Sequence, residues 1–348
     1  MINSKKISLA DIASKLGVSK TLVSMVLNGK GDENGISKKT QDMVTELAQE
    51  LNYKPNQFAR GLRIGRSNTI GLVVSDISNP FYAKLARFVE DAVSESCFNL
   101  MICSSDENPK KELKLLELLV DKQVDGIILS STFDTTDHIK NFEDNNFPLV
   151  LIDRTYNDID THKVVVDNRL GAFEAVEHII NNGHKRIAAF VISPAHISTQ
   201  VDRLEGYKDA LKKYNITLNP YYQKVIPRED IYRNSMQIIN QWKSDKIMPT
   251  AIFVTNNQLA IGCLEAIRDL GLIIPRDLSI VSFDDIDLFR LYNPPITSVI
   301  QPILSIARNA VEILMKCIKN KENIEPIDKI HKCLQTNMVI RNSVRKLL

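Results

Sequence analysis

Cysteine is scarce: five residues in 348, an odd number, with no two standing as Cys-x-x-Cys. Cys97, Cys103, Cys263, Cys317 and Cys333 are too scattered for a disulfide framework or a zinc cluster. They fit a reducing compartment, where they read as small buried apolar residues. Long apolar runs are missing too, none approaching the ~18 residues that span a bilayer. Residues 1–6 do not lead into the apolar core and small-residue cleavage site of an export signal. The expectation is a cytoplasmic protein without membrane contact. His-Glu-x-x-His, Gly-x-Ser-x-Gly and Gly-x-Gly-x-x-Gly are all absent. No catalytic residue, metal ligand or cofactor is therefore expected, and the chain does not read as an enzyme. His184 and Arg186 have no nucleophile or second base near them and read as a structural turn. The single Trp242 reads either as a cover for a ligand or as core.

Hydrophobic residues make up 44% and charged residues 25%, the balance of a globular protein. The formal net charge of +2 is unevenly spread. Residues 1–66 hold 11 Lys and Arg against 6 Asp and Glu, whereas the remainder holds 33 against 36. A basic end on a mildly acidic body suggests nucleic-acid contact at one end only.

Within that end, Ser8 can cap a helix carrying Asp11 three positions later, with Ile12, Ala13 and Leu16 on one face and Gly17 as its stop. Ser19 caps a second helix through Thr21, Val23, Val26 and Leu27. About three residues separate the two, so they cross steeply, which calls for a small residue where they meet (Ala13) and a permissive backbone at the turn (Gly17). Val18, Val23 and Val26 pack behind the second helix, leaving Lys20, Thr21, Ser24 and Met25 facing a major groove. A third helix from Ser37 places Val44, Leu47, Ala48 and Leu51 on the small core. The loop 29–35 is glycine-rich and acidic, but it follows a helix and lacks Gly-Lys-Ser/Thr, so it is not a phosphate loop. After Pro55, residues 56–63 are polar except for Phe58, Ala59 and Leu62. Leu62, between Arg60 and Arg63, reads equally as a minor-groove wedge on a hinge helix or as an anchor on the next domain.

These residues resemble the DNA-binding end of the lac-repressor (LacI/GalR) family. The resemblance lies in Asp11-Ile12-Ala13, Gly17-Val18-Ser19, Val23-Ser24, Val26-Leu27-Asn28 and Pro55-Asn56…Ala59-Arg60-Gly61-Leu62. It implies that Lys20, Thr21 and Met25 read bases and that Leu62 is the wedge. Ser19, Ser24, Asn28, Tyr53, Asn56, Ala59 and Arg60 complete the implied DNA-contacting set.

From Thr69 onward short apolar runs alternate with amphipathic stretches. Strands are expected at 70–74, 100–103, 126–129, 149–152, 164–166, 187–191, 251–254 and 279–282. Helices are expected at 81–94, 109–122, 171–181, 203–213 and 258–270. Unalternated apolar strands separated by helices imply parallel sheets covered on both faces, and their number implies two α/β lobes. Ligands of such sheets collect beyond the carboxyl ends of the strands. There stand Asp76, Asp153-Arg154, Asp167-Asn168, Asn256-Asn257 and Asp284-Asp285, with Arg203 opening a helix. Carboxylates and amides match vicinal hydroxyls, an arginine clamps a hydroxyl or carboxylate, and Phe81 suits the apolar face of a sugar. Any one of these Asp and Asn residues is also a ready helix cap; their convergence favours a cleft.

The body is similar to the same family in Asn79-Pro80-Phe81, Val124-Asp125-Gly126, Gly183-His184-Lys185-Arg186, Arg203-x-x-Gly206-Tyr207, Phe283-Asp284-Asp285 and the segment 294–302. The resemblance implies a small all-α helix-turn-helix domain (1–54), a hinge (55–67) and a periplasmic-binding-protein-like α/β body of two parallel-sheet lobes (68–348). The first lobe would comprise 68–166 and 300–325, the second 167–299 and 326–345. Asp76, Asp153, Arg203, Asn256, Asp284 and Gln301 fall on effector-contacting positions, beside Phe81. The implied function is a repressor, a homodimer or tetramer on a pseudo-palindromic double-stranded operator, controlled by a sugar-like effector. Where many members carry Asn-Asp, this chain has Asn256-Asn257, which lowers the local charge. Two rivals stand against this reading. A transport-type sugar-binding protein would need an export signal and no helix-turn-helix; a sugar-processing enzyme would need a catalytic constellation.

Overall fold

The computed structural model describes residues 7–53, 67–133, 135–156, 158–323 and 328–347. They fall into two compact units, one within 1–67 and the other within 68–348.

Among its described residues the first unit has three helices: α1 (Leu9–Leu16), α2 (Lys20–Leu27) and α3 (Lys38–Glu50). Each begins where a serine satisfies an amide that the first turn leaves unpaired. Ser8 Oγ accepts from Asp11 N while Asp11 Oδ2 accepts from Ser8 N, a reciprocal box. Ser19 Oγ accepts from Leu22 N at 3.0 Å, and Ser37 Oγ from Thr40 N at 3.2 Å. Gly17 ends α1 at φ +67°, a left-handed conformation that favours glycine. Ile12, Ala13, Val23, Val26, Val44 and Ala48 form the core. Burying side chains of this kind contributes about 1.5–3 kcal/mol for each large one, so the few residues of this core leave little reserve.

The second unit opens with β1 (Thr69–Val74), α4 (Pro80–Glu95), β2 (Asn99–Ser104), α5 (Pro109–Asp121), β3 (Gly126–Leu129), α6 (Asp137–Asp144), β4 (Leu149–Ile152) and β5 (Lys163–Val166). The chain then builds α7 (Asn168–Asn181), β6 (Ile187–Ile192), α8 (Ser198–Lys213), β7 (Gln223–Ile226), α9 (Ile231–Ser244), β8 (Ala251–Val254), α10 (Asn257–Asp269), β9 (Ser279–Phe283), α11 (Asp287–Leu291) and β10 (Thr297–Ile300). It ends with α12 (Ile303–Asn323), β11 (His331–Leu334) and β12 (Asn337–Val339).

Among the described residues two six-stranded sheets result, in the orders β2-β1-β3-β4-β5-β11 and β7-β6-β8-β9-β10-β12. All pairings are parallel except β10 with β12. Central strands such as β3, β4, β8 and β9 are buried along their whole length, which is why they read as unbroken apolar runs. Each sheet has apolar packing on both faces. In the first, Ile70, Leu72 and Val150 face α4 and α12, while Val73, Leu129 and Leu151 face α5 and α6. In the second, α9 and α10 cover one face, α7 and α8 the other. Gly206 lets α8 approach α7, because a Cβ there would lie 2.2 Å from the Arg169 carbonyl oxygen.

The expected lobe boundaries need correction. β11 pairs with β5 in parallel register, Lys332 beside Val164, so His331–Leu334 belong to the first lobe and not to the second. Residue 300 belongs to β10 in the second sheet, and the return to the first begins at α12. β11 escapes sequence reading because it is a four-residue edge strand with His331, Lys332 and Cys333 exposed. The chain therefore crosses between lobes after β5, after β10 and after β11.

Candidate functional site: a helical recognition face and an interlobe cleft

On the three-helix unit, Lys20 and Thr21 are exposed at the start of α2, and Ser24 and Met25 are half-buried one turn on. Val23 and Val26 are buried on the opposite side, so the expected division of α2 into inner and outer faces is present. Two residues of the expected set have local duties. Ser19 is the cap of α2, and Asn28 donates its side-chain amide to the Ser24 carbonyl at 2.6 Å, closing the helix end. Tyr53 packs against the core, and burial raises its pKa. The loop 29–35 is pinned from α3: Gln41 donates to Asp32 Oδ1 and to the Ile36 carbonyl, both at 2.8 Å. Asn56, Ala59, Arg60 and Leu62 lie outside the described residues.

In the body, polar residues at the strand ends of both lobes converge on one cavity of about 30 Å³. Phe81, Asp153, Arg203, Asn256, Asp284 and Gln301 all line it. Arg203, in the second turn of α8 and not at its start, is 3% exposed. Its Nε donates to Asn168 Oδ1 at 2.8 Å, its Nη1 to the Thr255 carbonyl at 2.7 Å, and its Cζ lies 3.8 Å from the Phe283 ring centroid. Asp284 faces the same guanidinium at 3.5 Å, while its Oδ1 accepts from Gln301 Nε2 at 2.6 Å. Burial pushes the Asp284 carboxyl upward, partly offset by Arg203 and Gln301.

Asp153 and Asp284 are counterparts. Each follows the fourth strand of its sheet, each is 6% exposed, and each adopts left-handed backbone, φ +62° and +67°. Such a conformation costs on the order of 1–3 kcal/mol at a buried non-glycine residue, and it persists only where surroundings enforce it. Tyr82 does so at Asp153, donating to Oδ2 at 2.7 Å. Buried polar atoms with no hydrogen-bond partner lie on residues lining this cavity: Arg154 Nε, whose nearest charge is Asp153 Oδ2 at 3.9 Å, Arg228 Nε and Gln301 Oε1. An unmet buried polar atom costs roughly 1–3 kcal/mol, so hydroxyl groups brought between the lobes would relieve a real penalty.

Two expected site residues differ in duty from the rest. Asn256 caps α10 through Oδ1, which accepts from Leu259 N at 2.8 Å, while also lining the cavity. Asp76 is not among the residues enclosing that cavity. It lines a wider one of about 590 Å³ that shares Glu107 and Arg228 with the first, and there Oδ1 accepts from Ser78 N and Oδ2 from Gln258 Nε2, both at 2.9 Å. Burial works against its ionisation, but hydrogen bonds from Ser78 and Gln258 hold its pKa below the ordinary value. Sequence reasoning missed Glu107 and Arg228, which line both cavities, and Tyr82 and Gln200, which line the inner one. No motif marks them.

Other expectations resolve simply. His184 is a buried turn residue, with Nδ1 2.9 Å from Thr250 Oγ1 and Nε2 3.0 Å from the Arg345 carbonyl. Trp242 is core, 2% exposed against Phe190 and Tyr222. Cys103 and Cys263 are buried, but Cys97 and Cys333 are exposed, contrary to the expectation for all five. Among the described residues no helix is long and apolar enough to cross a membrane.

Comparison with known proteins adds the following. Residues 8–56 match the model for bacterial regulatory proteins of the lacI family, and 176–344 match a periplasmic binding protein-like domain. Catabolite control protein A of Priestia megaterium is 33% identical over 92% of this chain and 94% of its own length. The ribose operon repressor of Haemophilus influenzae is 32% identical over 98% of this chain and 99% of its own. A crystal structure of the lac repressor dimer bound to operator and the anti-inducer ONPF shares the fold, with a TM-score of 0.85. It is 24% identical, and the match covers 98% of this chain and 100% of that one.

Proposed function

Because this chain belongs to the lacI family of bacterial regulatory proteins and is a DNA-binding transcriptional regulator, we propose that it is a cytoplasmic, homodimeric repressor. Its operator affinity is set by a sugar or sugar derivative held between the two lobes. The observation that carries this reading is Arg203. It is a buried guanidinium anchored by Asn168 and the Thr255 carbonyl, with Asp284 and Gln301 beside it and the Phe81 ring also lining the cavity. That is a set of fixed donors and acceptors suited to vicinal hydroxyls. The repressor role is supported by the name of the ribose operon repressor, similar along nearly the whole chain.

Two recognition helices of a dimer meet half-sites about one helical turn apart on a pseudo-palindromic operator, with Lys20, Thr21, Ser24 and Met25 toward base edges. Lysine and arginine contacts to phosphate supply affinity that falls steeply with salt. An effector that binds one closure of the lobes better than the other shifts that equilibrium, and with it the hinge segments near Leu62. A coupling of about 1–3 kcal/mol corresponds to roughly 5–150-fold in operator affinity.

Selection from a random-sequence DNA pool by the full chain, followed by a thermal-shift screen of sugars, tests the reading. Enrichment of a pseudo-palindrome and a sugar that both stabilises the protein and alters operator affinity are expected. Absence of any sequence preference, or turnover of a sugar by purified protein, would contradict it.

A further inference from the structure

We propose that Glu107 occupies the place of an anion between Arg154 and Arg228, so that the cleft admits an uncharged polyhydroxylated effector and rejects phosphorylated or carboxylated ones. This rests on the reading of the cleft as an effector site, and it adds the charge class of the ligand and the residue that enforces it.

The three side chains come from separate places. Glu107 lies between β2 and α5, and Arg154 follows β4, both in the first lobe; Arg228 follows β7 in the second. Arg154 grips Glu107 with both ends of its guanidinium, Nη2 to Oε1 at 2.6 Å and Nη1 to Oε2 at 2.8 Å. Arg228 Nη2 meets Oε1 at 2.8 Å across the cleft. Two guanidiniums converging on one set of oxygens is the arrangement used to hold a phosphate or a free carboxylate; here the chain supplies the carboxylate itself. The side chains of Arg154, Glu107 and Arg228 are only 7%, 13% and 22% exposed. The turn delivering Glu107 is strained, with Asp106 and Glu107 both left-handed at φ +52° and +55°. Its amide is fixed to the Ser75 carbonyl at 2.9 Å.

The guanidiniums that would receive a second anion already have partners from the chain. Arg154 Nη1 also donates to the Ser131 carbonyl, Arg228 Nη1 to Gln258 Oε1, and Arg203 to its three partners. Beside Glu107, Arg228 Nε has no hydrogen-bond partner and Arg154 Nε has only Asp153 Oδ2 at 3.9 Å; these single N–H groups stand on two side chains and suit a hydroxyl oxygen better than a bidentate anion. Against these three arginines the two cavities present Asp76, Asp106, Glu107, Asp153, Glu229 and Asp284. An entering phosphate would face more carboxylates than cations in a low-dielectric space, where like charges repel strongly. Hydroxyls meet no such barrier, and they can also donate to the unpartnered Gln301 Oε1.

The test uses the full chain, the variants E107Q and E107A, and inorganic phosphate as probe, with sodium chloride matching ionic strength. Thermal shift and calorimetric titration are the readouts. Wild type should show no saturable response to phosphate, or to hexose phosphates beside their parent hexoses. E107Q and E107A should bind phosphate at least about tenfold more tightly than wild type, and adding R228A to E107Q should remove the gain. Saturable stabilisation of wild type by phosphate or a hexose phosphate would overturn the proposal. So would a folded E107Q that gains nothing. Should neither variant fold, the wild-type titrations still decide. Failure of every sugar to alter operator binding would instead refute the effector reading, and the phosphate titration of E107Q would stand apart from that result.

Discussion

Asn257 and Asn79 tie the two lobes together: Asn257 Nδ2 donates to Asn79 Oδ1 at 2.9 Å. Asn79 is the cap of α4, already accepting from Phe81 N at 3.0 Å, and Asn257 is the first residue of α10. The bond therefore joins one helix N-terminus in each lobe, with both residues buried. Its neighbour repeats the pattern, since Gln258 reaches across to Asp76. An aspartate at 257, the residue many members of the family carry, would bring no proton to Asn79 Oδ1. The amide here is a cross-lobe donor at a position that otherwise brings charge.

Asn79→Ala and Asn257→Ala should show a coupling of about 0.5–1.5 kcal/mol in a double-mutant cycle on urea unfolding, the net contribution of one buried hydrogen bond. Asn257→Asp should abolish that coupling as well. Strict additivity of the two alanine substitutions would show that the bond does not form.

Acid should destabilise the body through two buried histidines, His162 and His184, and the half-buried His178. Burial holds the pKa of His162, His178 and His184 below the ordinary value of about 6.5. Above pH 6.5 both folded and unfolded states are neutral at these sites and stability is complete. As pH falls through 6.5 toward the lower folded values, the unfolded chain binds protons first and stability declines. His184→Asn should flatten the dependence of melting temperature on pH between about 6.5 and 5; an unchanged slope would remove His184 from the explanation.

How much could be read beforehand depended on whether the cause was local. Ser8 and Ser19 were legible as caps, and Ser37 as the start of a helix, because a hydroxyl three residues before an unpaired amide is a local fact. β3, β4, β8 and β9 announced themselves as apolar runs because both their faces are covered. Asp153 and Asp284 stand at the ends of such strands and could be found with them, whereas Arg203 was found as a helix residue but placed at the start of a helix that begins five residues earlier. Glu107 and Arg228 could not. They lie in irregular turns far apart in the chain, and only the meeting of two lobes brings them within 2.8 Å. β11 stayed hidden because an exposed edge strand has no apolar signature.

On the helical unit, Lys20→Ala and Met25→Ala should each relax preference at one or two positions of a half-site, by about 1–3 kcal/mol for each base pair no longer discriminated. The salt dependence of binding should stay nearly constant for Met25→Ala. If Lys20→Ala weakens all sequences equally and lowers the slope against log salt by about one, Lys20 holds a phosphate and is not a base reader.

The central claim, that the cleft around Arg203 controls DNA binding, is tested most directly by operator titrations with and without a stabilising sugar, on wild type and on Arg203→Ala. Removing a buried guanidinium that faces Asp284 costs about 3–5 kcal/mol, so folding of the variant is checked by its melting curve first. The expected result is a wild-type shift in operator affinity of roughly 5–150-fold that vanishes in Arg203→Ala, while effector-free DNA binding persists. A folded variant that keeps the full effector response would contradict the claim.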